Sequence, residues 1–399
     1  MAGKHKYEYP PDEELKKLCA EFGYTEVARQ LDIPASTLQN YLRRRAIPTT
    51  KQKQTTAKVD LTDLPAQPSE TELLQARVKE LEKQVRKDRK NQVYDERVTQ
   101  AVEASIQKAK PKYSPRAIPK AKTKGTTHEF VLDWSDLHAG EIVSLEETGG
   151  INEYDWDIML KRLDRVREAL FSYQDNRPYR VKKLYVFALG DMLSGNIHAE
   201  LEATNEIPLA EATVQLGIDG AEWIESLTER FEEVEVHGVV GNHPRAHKKP
   251  WAKQGYDNAD WTAYHIMSQA LRKNDRIRFE IPKANQHRVI VAGRFPNLIW
   301  HGDGVRSSMP GVPWGGIMRR VASLRNQYQQ ANQPVEYFHC GHFHTANAVE
   351  QGRIIVNGSV KGVDEYSLKA FGGGQPPVQV LSTFHPTRGL TDVSFLDCV

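Results

Sequence analysis

The chain has 399 residues, 39% of them hydrophobic, and a formal net charge of +2. This length allows one large domain with smaller modules, and the near-neutral charge alone indicates no class of partner. The three cysteines show no paired spacing, so neither a disulfide framework nor a thiolate metal site is expected. No apolar run approaches about 18 residues and no apolar signal core is present, which predicts a cytoplasmic protein without a membrane span.

Residues 1–48 are predicted to form a small all-α module of three helices. The second helix is expected over residues 25–31 and the third over residues 37–45, with Ser36 as the cap of the third. A tight turn at Asp32 separates them. The module is therefore expected to fold around a few apolar residues and to present a polar third helix.

The second and third helices resemble a helix-turn-helix nucleic-acid-binding unit. Its usual apolar spacing is occupied by Val27, Ala28, Leu31, Ile33, Leu38 and Tyr41, and Asp32 stands where that family usually has Gly. The resemblance implies that the third helix lies in the major groove of DNA. The residues that could contact DNA are Thr37, Gln39, Asn40, Arg43, Arg44 and Arg45. The alternative is a three-helix interaction module with a solvated charged face.

Residues 49–127 are predicted to link this module to the remainder of the chain. A helix with a short coiled-coil seam is expected over residues 69–109, either for self-association into a homo-oligomer or for docking on the domain formed by residues 128–399. Seven lysines and arginines follow over residues 108–124 without an acid among them. This basic tether is either a solvated linker or an electrostatic clamp on nucleic acid.

Five short motifs in residues 128–399 each follow an apolar run that is typical of a buried strand. They are DLH at 136–138, GD at 190–191, GNH at 241–243, HGD at 301–303 and GHFH at 341–344. Packing does not explain Asp, Asn and His at so many strand ends, whereas converging strands can bring such groups into one crevice. Oxygen and imidazole ligands suit two divalent ions about 3.5–4 Å apart. Strands alternating with helices predict an α/β or layered α/β sandwich.

In this order the motifs resemble those of the calcineurin-like metallophosphoesterases. That family includes protein phosphatases, cyclic-nucleotide phosphodiesterases and the nuclease subunits of double-strand-break repair exonucleases. The resemblance covers residues 130–365 and implies a layered β-sandwich flanked by helices, with two divalent ions above the strand ends. It implies Mn2+ as the metal, with Fe or Zn as alternatives. The implied ligands are Asp136, His138 and His344 for one ion, Asn242, His301 and His342 for the other, and Asp191 for both.

The resemblance also implies that His243 is a catalytic residue beside the metals, where it stabilises the transition state or protonates the leaving oxygen. Two departures from the family pattern bear on this role. Pro244 replaces the acidic residue that usually orients the histidine ring, and Ser194 stands where many members have a further Asp. A partner for His243 must therefore come from elsewhere. Substrate-binding or ligand-supporting roles are possible for His198, Arg245, Asp303 and Arg306, with ordinary surface roles as the alternative.

A DNA-reading helix, a basic tether and a phosphoester site together predict a metal-dependent DNA nuclease or DNA phosphodiesterase that activates water at a dinuclear metal centre. The combination of domains resembles that of a bacteriophage or prophage enzyme, which would act in the host cytoplasm. One alternative is a phosphatase or small phosphodiesterase acting on proteins or nucleotides. A further alternative is a DNA-binding or scaffold protein whose catalytic domain is degenerate.

Overall fold

The computed structural model describes residues 9–45, 77, 127–197, 201, 204–247, 257–281, 287–305 and 312–399. The chain divides into two compact units, residues 1–89 and residues 90–399. The helix expected over residues 69–109 lies outside the described residues except for Arg77, and the basic tether over 108–124 lies wholly outside them. Each unit is described below by itself.

Within residues 9–45 the structure describes three helices of the first unit, which are α1 (Asp12–Phe22), α2 (Tyr24–Gln30) and α3 (Ala35–Arg44). Their shared core consists of Leu15, Cys19, Val27, Ala28, Ile33, Leu38 and Leu42. Asp32 adopts the left-handed backbone that the tight turn requires, with a φ of 51°. The expected cap at Ser36 is wrong, because Pro34 occupies the N-cap and the helix begins one residue before Ser36. Proline's fixed φ suits the start of a helix, and no side chain caps this one.

The second unit is built from eleven described strands and five described helices. The strands are β1 (Thr127–Trp134), β2 (Arg180–Ala188), β3 (Glu233–Gly238), β4 (Ile277–Glu280), β5 (His287–Ala292), β6 (Phe295–Trp300), β7 (Tyr337–Cys340), β8 (Asn347–Val349), β9 (Ile354–Val356), β10 (Val378–His385) and β11 (Gly389–Asp397). The helices are α4 (Trp156–Asp175), α5 (Leu209–Leu227), α6 (Ala259–Ala270), α7 (Trp314–Gln330) and α8 (Glu365–Phe371).

The strands form two sheets. The first has the order β11-β10-β1-β2-β3-β4. Strands β1 to β4 are parallel to one another, and β10 is antiparallel to both of its neighbours, β1 and β11. The second has the order β5-β6-β7-β9-β8, in which β6, β7 and β9 are parallel. The carboxyl ends of parallel strands lie at one edge of a sheet, so each sheet presents several loops at a common edge.

The two sheets pack face to face. Val131, Tyr185 and Phe187 from the first sheet share a core with Ile290 and Ile299 from the second. The outer face of the first sheet is covered by α4, α5 and α6, and the outer face of the second by α7. Because both faces of the first sheet are covered, β1 is buried from Phe130 to Trp134. The α/β layered sandwich with flanking helices is thus what the structure shows, and no described helix is long and apolar enough to cross a bilayer.

A polar bridge joins the two sheets inside this core. The Nδ1 atom of His339 on β7 lies 3.0 Å from both carboxylate oxygens of Asp133 on β1, and its Nε2 atom lies 3.1 Å from Oδ1 of Asn297 on β6. All three residues are buried. Buried polar groups of this kind are tolerated only when they are paired, so the bridge favours one alignment of the sheets.

Candidate metal centre

All five motifs lie directly after strands of the sandwich. Three follow β1, β2 and β3 of the first sheet, and two follow β6 and β7 of the second. Backbone hydrogen bonds tie the loops together: the amide of Asp136 donates to the carbonyl of Gly190 at 3.0 Å, and that of His138 donates to the carbonyl of Asp191 at 3.1 Å. The polar strand ends predicted from the sequence therefore share one crevice.

Five of the expected metal ligands adopt left-handed backbone. Their φ angles lie between 50° and 72°, and they make up half of the ten such non-glycine residues in the part of the chain that the structure describes. The five are Asp136, His138, Asp191, His342 and His344. Each conformation of this kind costs about 1–3 kcal/mol and persists only where the surrounding structure imposes it. The concentration of this cost in one crevice marks the crevice as a functional site.

One group of ligand atoms comes from Asp136, His138 and His344, whose side chains offer atoms within 4.8 Å of one another. The Nε2 atoms of the two histidines lie 3.1 Å apart. The Nε2 atom of His344 also lies 3.4 Å from Oδ1 of Asp136. These three residues match the ligands expected for the first ion.

A second group centres on Nε2 of His301. This atom lies 3.0 Å from Oδ2 of Asp191, 3.0 Å from Oδ1 of Asn242 and 3.2 Å from Nδ1 of His342. Asp191 also belongs to a third group with His138 and His243, so its carboxylate lies between the two halves of the site. All seven ligands expected from the sequence are thereby brought together.

Charge within the second group is strongly coupled. Burial alone would raise the pKa of the Asp191 carboxyl, but His301 and His243 outweigh it and hold that pKa well below its ordinary value. Burial alone would lower the pKa of His301, but the Asp191 carboxylate raises it to about 10. Burial lowers the pKa of His342 to about 4. Without metal, His301 is therefore the cationic histidine of the second group, and His342 is neutral at pH 7.

The donors fit divalent metal ions. Two nitrogen ligands about 2.1 Å from a tetrahedral ion lie about 3.4 Å apart, close to the histidine pairs observed here. Nδ1 of His301 donates to the carbonyl of Leu189 at 2.8 Å, which leaves Nε2 to face the other ligands. A backbone carbonyl commonly fixes metal-binding histidines in this way. The hydrogen bond to Leu189 therefore fixes the His301 ring with Nε2 directed at Asp191, Asn242 and His342.

His243 has an orienting partner despite Pro244. Its Nδ1 atom lies 3.1 Å from the carbonyl oxygen of Ser194, and because a carbonyl only accepts, Nδ1 donates the hydrogen bond. The backbone amide of His243 also donates to Oδ1 of Asp191 at 2.8 Å. Burial lowers the pKa of His243 to about 3, so its ring is neutral at pH 7 when no metal is bound. The backbone carbonyl of Ser194 thus supplies the orienting partner that the sequence leaves unidentified.

Two further residues hold the motif loops and were missed by sequence reasoning. The Asp260 carboxylate accepts from the amides of Met192 and Gly241 at 3.0 and 2.9 Å, and Asn258 donates to the carbonyl of Gly241 at 2.9 Å. Burial, with the nearby Asp191 charge, raises the pKa of Asp260 to about 7. In the sequence these residues resemble an ordinary helix start, because Asn258 also caps α6. Nothing in the sequence around Asn258 and Asp260 indicates that they contact the loops that contain Met192 and Gly241.

The Asn-Gly-Ser segment after β9 supports Asp136. Ser359 Oγ donates to the carbonyl of Asp136 at 2.9 Å, and Asn357 Nδ2 donates to Ser135 Oγ at 2.9 Å. Ser135 Oγ in turn donates to the Asp136 carboxylate at 2.5 Å. A chain of hydrogen bonds therefore fixes this ligand from behind.

The other candidates from the sequence lie outside this cluster or outside the described residues. Asp303 is exposed, although its charge contributes to the raised pKa of His301. Arg245 donates to the carbonyl of His247 at 2.9 Å, two residues further along. His198 and Arg306 lie outside the described residues.

We expect Gly241→Ala to disable the site, because a Cβ at this position would lie 2.0 Å from Oδ1 of Asp191 and 2.1 Å from its amide nitrogen. The carboxylate would have to move, and misplacement by about 1 Å costs about a hundredfold in rate. Mn2+-dependent hydrolysis of a chromogenic phosphodiester measures the loss. Gly315→Ala is the control, since a Cβ there approaches only Nη1 of Arg319, at 3.5 Å. A Gly241→Ala protein that matches this control would contradict the close approach.

Comparison with known proteins gives matches among solved structures alone. No family model matches the chain, and no curated protein matches it. A dimetal phosphatase from Danio rerio is 11% identical, with a TM-score of 0.32 over 68% of this chain and 99% of that chain. The calcineurin-like phosphoesterase YfkN from Bacillus subtilis is 8% identical, with a TM-score of 0.30 over 69% and 92%. Zn-bound Vps29 from Entamoeba histolytica is 15% identical, with a TM-score of 0.25 over 68% and 99%.

Proposed function

We propose that this protein is a metal-dependent phosphodiesterase of the calcineurin-like metallophosphoesterase type and that its substrate is DNA. The metal-dependent activity is supported mainly by the position of Asp191 between the ligand groups. Its Oδ2 atom lies 3.0 Å from Nε2 of His301, and a carboxylate oxygen lies within 4.8 Å of ring nitrogens of His138 and His243. A carboxylate has two oxygens and one negative charge, so it suits a position between two cations.

Each residue has a distinct task in the proposed reaction. Asp136, His138 and His344 would hold one ion, and Asn242, His301 and His342 the other, with Asp191 shared. The ions, when bound, supply Lewis-acid activation of the phosphate and of water at neutral pH. With its Nδ1 proton held by the Ser194 carbonyl, the ring of His243 would take a proton from the attacking water at Nε2 and pass it to the leaving oxygen.

The left-handed backbone of five expected metal ligands argues against the alternative of a degenerate catalytic domain. A scaffold protein has no use for five residues whose backbone costs about 1–3 kcal/mol each. The complete set of seven ligand side chains supports the same conclusion. A working metal centre explains both observations.

The proposal of DNA as substrate is supported by the exposed side of α3. Gln39, Asn40 and Arg43 are exposed on this helix, and Thr37 is half-buried. Amide and guanidinium groups are those that recognise base edges and phosphates. Arg45 forms a 3.0 Å ion pair with Asp12, but an exposed pair of this kind is worth little and can yield to a phosphate. The side chain of Arg44 lies outside the described residues.

Substrate class is tested with the purified full chain, Mn2+, linear single- and double-stranded DNA, and bis(p-nitrophenyl) phosphate. The proposal predicts cleavage of DNA as well as of the small ester. Hydrolysis of the small ester or of phosphomonoesters without DNA cleavage would contradict the proposal of a nuclease and indicate a phosphatase or small phosphodiesterase. Absence of any hydrolysis would overturn the enzymatic proposal.

We expect Arg43→Ala to weaken DNA binding. The loss of one phosphate contact should lower the slope of log affinity against log salt by about 1. Fluorescence anisotropy with labelled duplex DNA at several salt concentrations measures this slope. Lys16→Ala is the matched control, because Lys16 lies on α1 and pairs with Glu13 at 2.7 Å. If both variants have the same slope of log affinity against log salt, Arg43 does not contact a DNA phosphate.

A further inference from the structure

Three charged side chains are buried together beside the metal centre. The Nζ atom of Lys361 lies 2.8 Å from Oε1 of Glu141 and also donates to the carboxylate of Asp364. The side chains of Lys361 and Glu141 are only 3% and 7% exposed. This buried ion pair therefore holds the Glu141 carboxylate in a fixed position.

Stability alone gives a weak reason for this arrangement. Removing charges from water costs free energy that their attraction often fails to recover, and a well-packed apolar cluster commonly does as well. Buried charge at such a cost is better explained by a task that requires a carboxylate at this place. The contacts of the second oxygen of Glu141 indicate that task.

Oε2 of Glu141 faces both His138, a residue of the first ligand group, and Ser194, which orients His243. It lies 3.4 Å from Nδ1 of His138 and 3.5 Å from Oγ of Ser194. Nδ1 of His138 is buried, and it forms no hydrogen bond of standard geometry with any described residue. The other ring nitrogen of His138 faces His344 in the first ligand group. Ser194 is the residue whose carbonyl orients His243.

We propose that Glu141, fixed by Lys361, is a positioning residue that keeps the proton of His138 on Nδ1 and steadies the Ser194 segment behind His243. This inference rests on the proposed function for its catalytic consequence, although its effect on metal binding stands apart from any substrate. A carboxylate behind a metal-binding histidine fixes the tautomer and leaves the other nitrogen free for the ion. Glu141 would thereby act through Ser194 in place of the acid that Pro244 has displaced.

Glu141→Gln tests the tautomer directly. The ammonium of Lys361 has only donors, so it should hold the amide oxygen of Gln toward itself and turn the NH2 group toward His138. That group donates to Nδ1 and drives the proton of His138 onto Nε2, the nitrogen needed for metal. We expect Mn2+ affinity, measured by calorimetry on metal-free protein, to fall by about 10–100-fold. The 15N shifts of His138 should report the exchanged tautomer.

The double variant Glu141→Gln with Lys361→Met separates positioning from simple damage. Without the ammonium the amide is free to turn its oxygen toward His138, so Mn2+ affinity should recover toward that of the wild type. Structural damage predicts the opposite, because two substitutions in a buried cluster should harm the protein more than one. Glu168→Gln, on an exposed ion pair of α4, is the matched control.

The measured outcomes divide cleanly. Wild-type Mn2+ affinity in Glu141→Gln, or a double variant no better than the single one, overturns the role of Glu141. A wild-type protein that binds two Mn2+ ions but hydrolyses no phosphoester overturns the proposed function and leaves the positioning role standing. A wild-type protein that binds no Mn2+ overturns both.

Discussion

Asp191→Asn is expected to reduce Mn2+-dependent hydrolysis of bis(p-nitrophenyl) phosphate by about a thousandfold or more. Loss of a single stabilising donor in an active site already costs about 10²–10³ in rate, and this substitution removes a charge shared by two ligand groups. An amide has one oxygen where the carboxylate has two, so it cannot contact both groups as an acceptor. The volume of the side chain is retained, which keeps the fold intact.

A matched control for this variant is Asp164→Asn on the exposed side of α4, where the carboxylate pairs with Arg167. That protein should hydrolyse the ester at the wild-type rate. Circular dichroism should show the same helix content in both variants. Hydrolysis by Asp191→Asn within tenfold of the control would show that Asp191 does not hold the metals.

Removal of metal by a chelator is expected to lower the melting temperature, and Mn2+ should restore it. A ligand at about 100 times its Kd stabilises the folded state by about 2.7 kcal/mol. The ion must displace the proton of His301, whose pKa is raised to about 10. Apparent Mn2+ affinity should therefore rise by about tenfold per pH unit between pH 6 and 9 for one displaced proton.

Thermal unfolding followed with and without Mn2+ at several pH values measures both effects. The Asp191→Asn protein provides the reference, since its melting temperature should respond little to the ion. A wild-type melting temperature that is unchanged by Mn2+ at pH 8 would be incompatible with the metal centre described here. A Mn2+ affinity that does not change with pH would contradict the prediction that the ion displaces a proton from His301.

The sequence predicts those parts of the site in which a motif is local. Each ligand lies within a few residues of a strand end, so the apolar run and the polar residues after it are visible together. Contacts that join distant segments are invisible at this level: Glu141 and Lys361 are 220 positions apart, and His243 and Ser194 are 49 apart. Nothing in the spacing of these residues indicates that they meet.

The same distinction applies to the fold. Helices α4 and α7 are visible in the sequence, because apolar residues repeat with helical spacing over 155–175 and 313–330. Short or half-buried elements such as β4 and β8 were not predicted, since three or four residues carry no clear periodicity. The helix α8 has only seven residues, too few for a clear helical repeat, although Asp364 forms a capping box at its start.

The left-handed backbone of the ligands sets stability against activity in this protein. Replacing His344 by Gly would relieve the backbone cost at that turn, so this inactive variant is expected to melt higher than the metal-free wild type. Directed evolution for heat resistance alone would be expected to erase these turns early. A selection that aims at a thermostable enzyme must therefore require Mn2+-dependent turnover in every round.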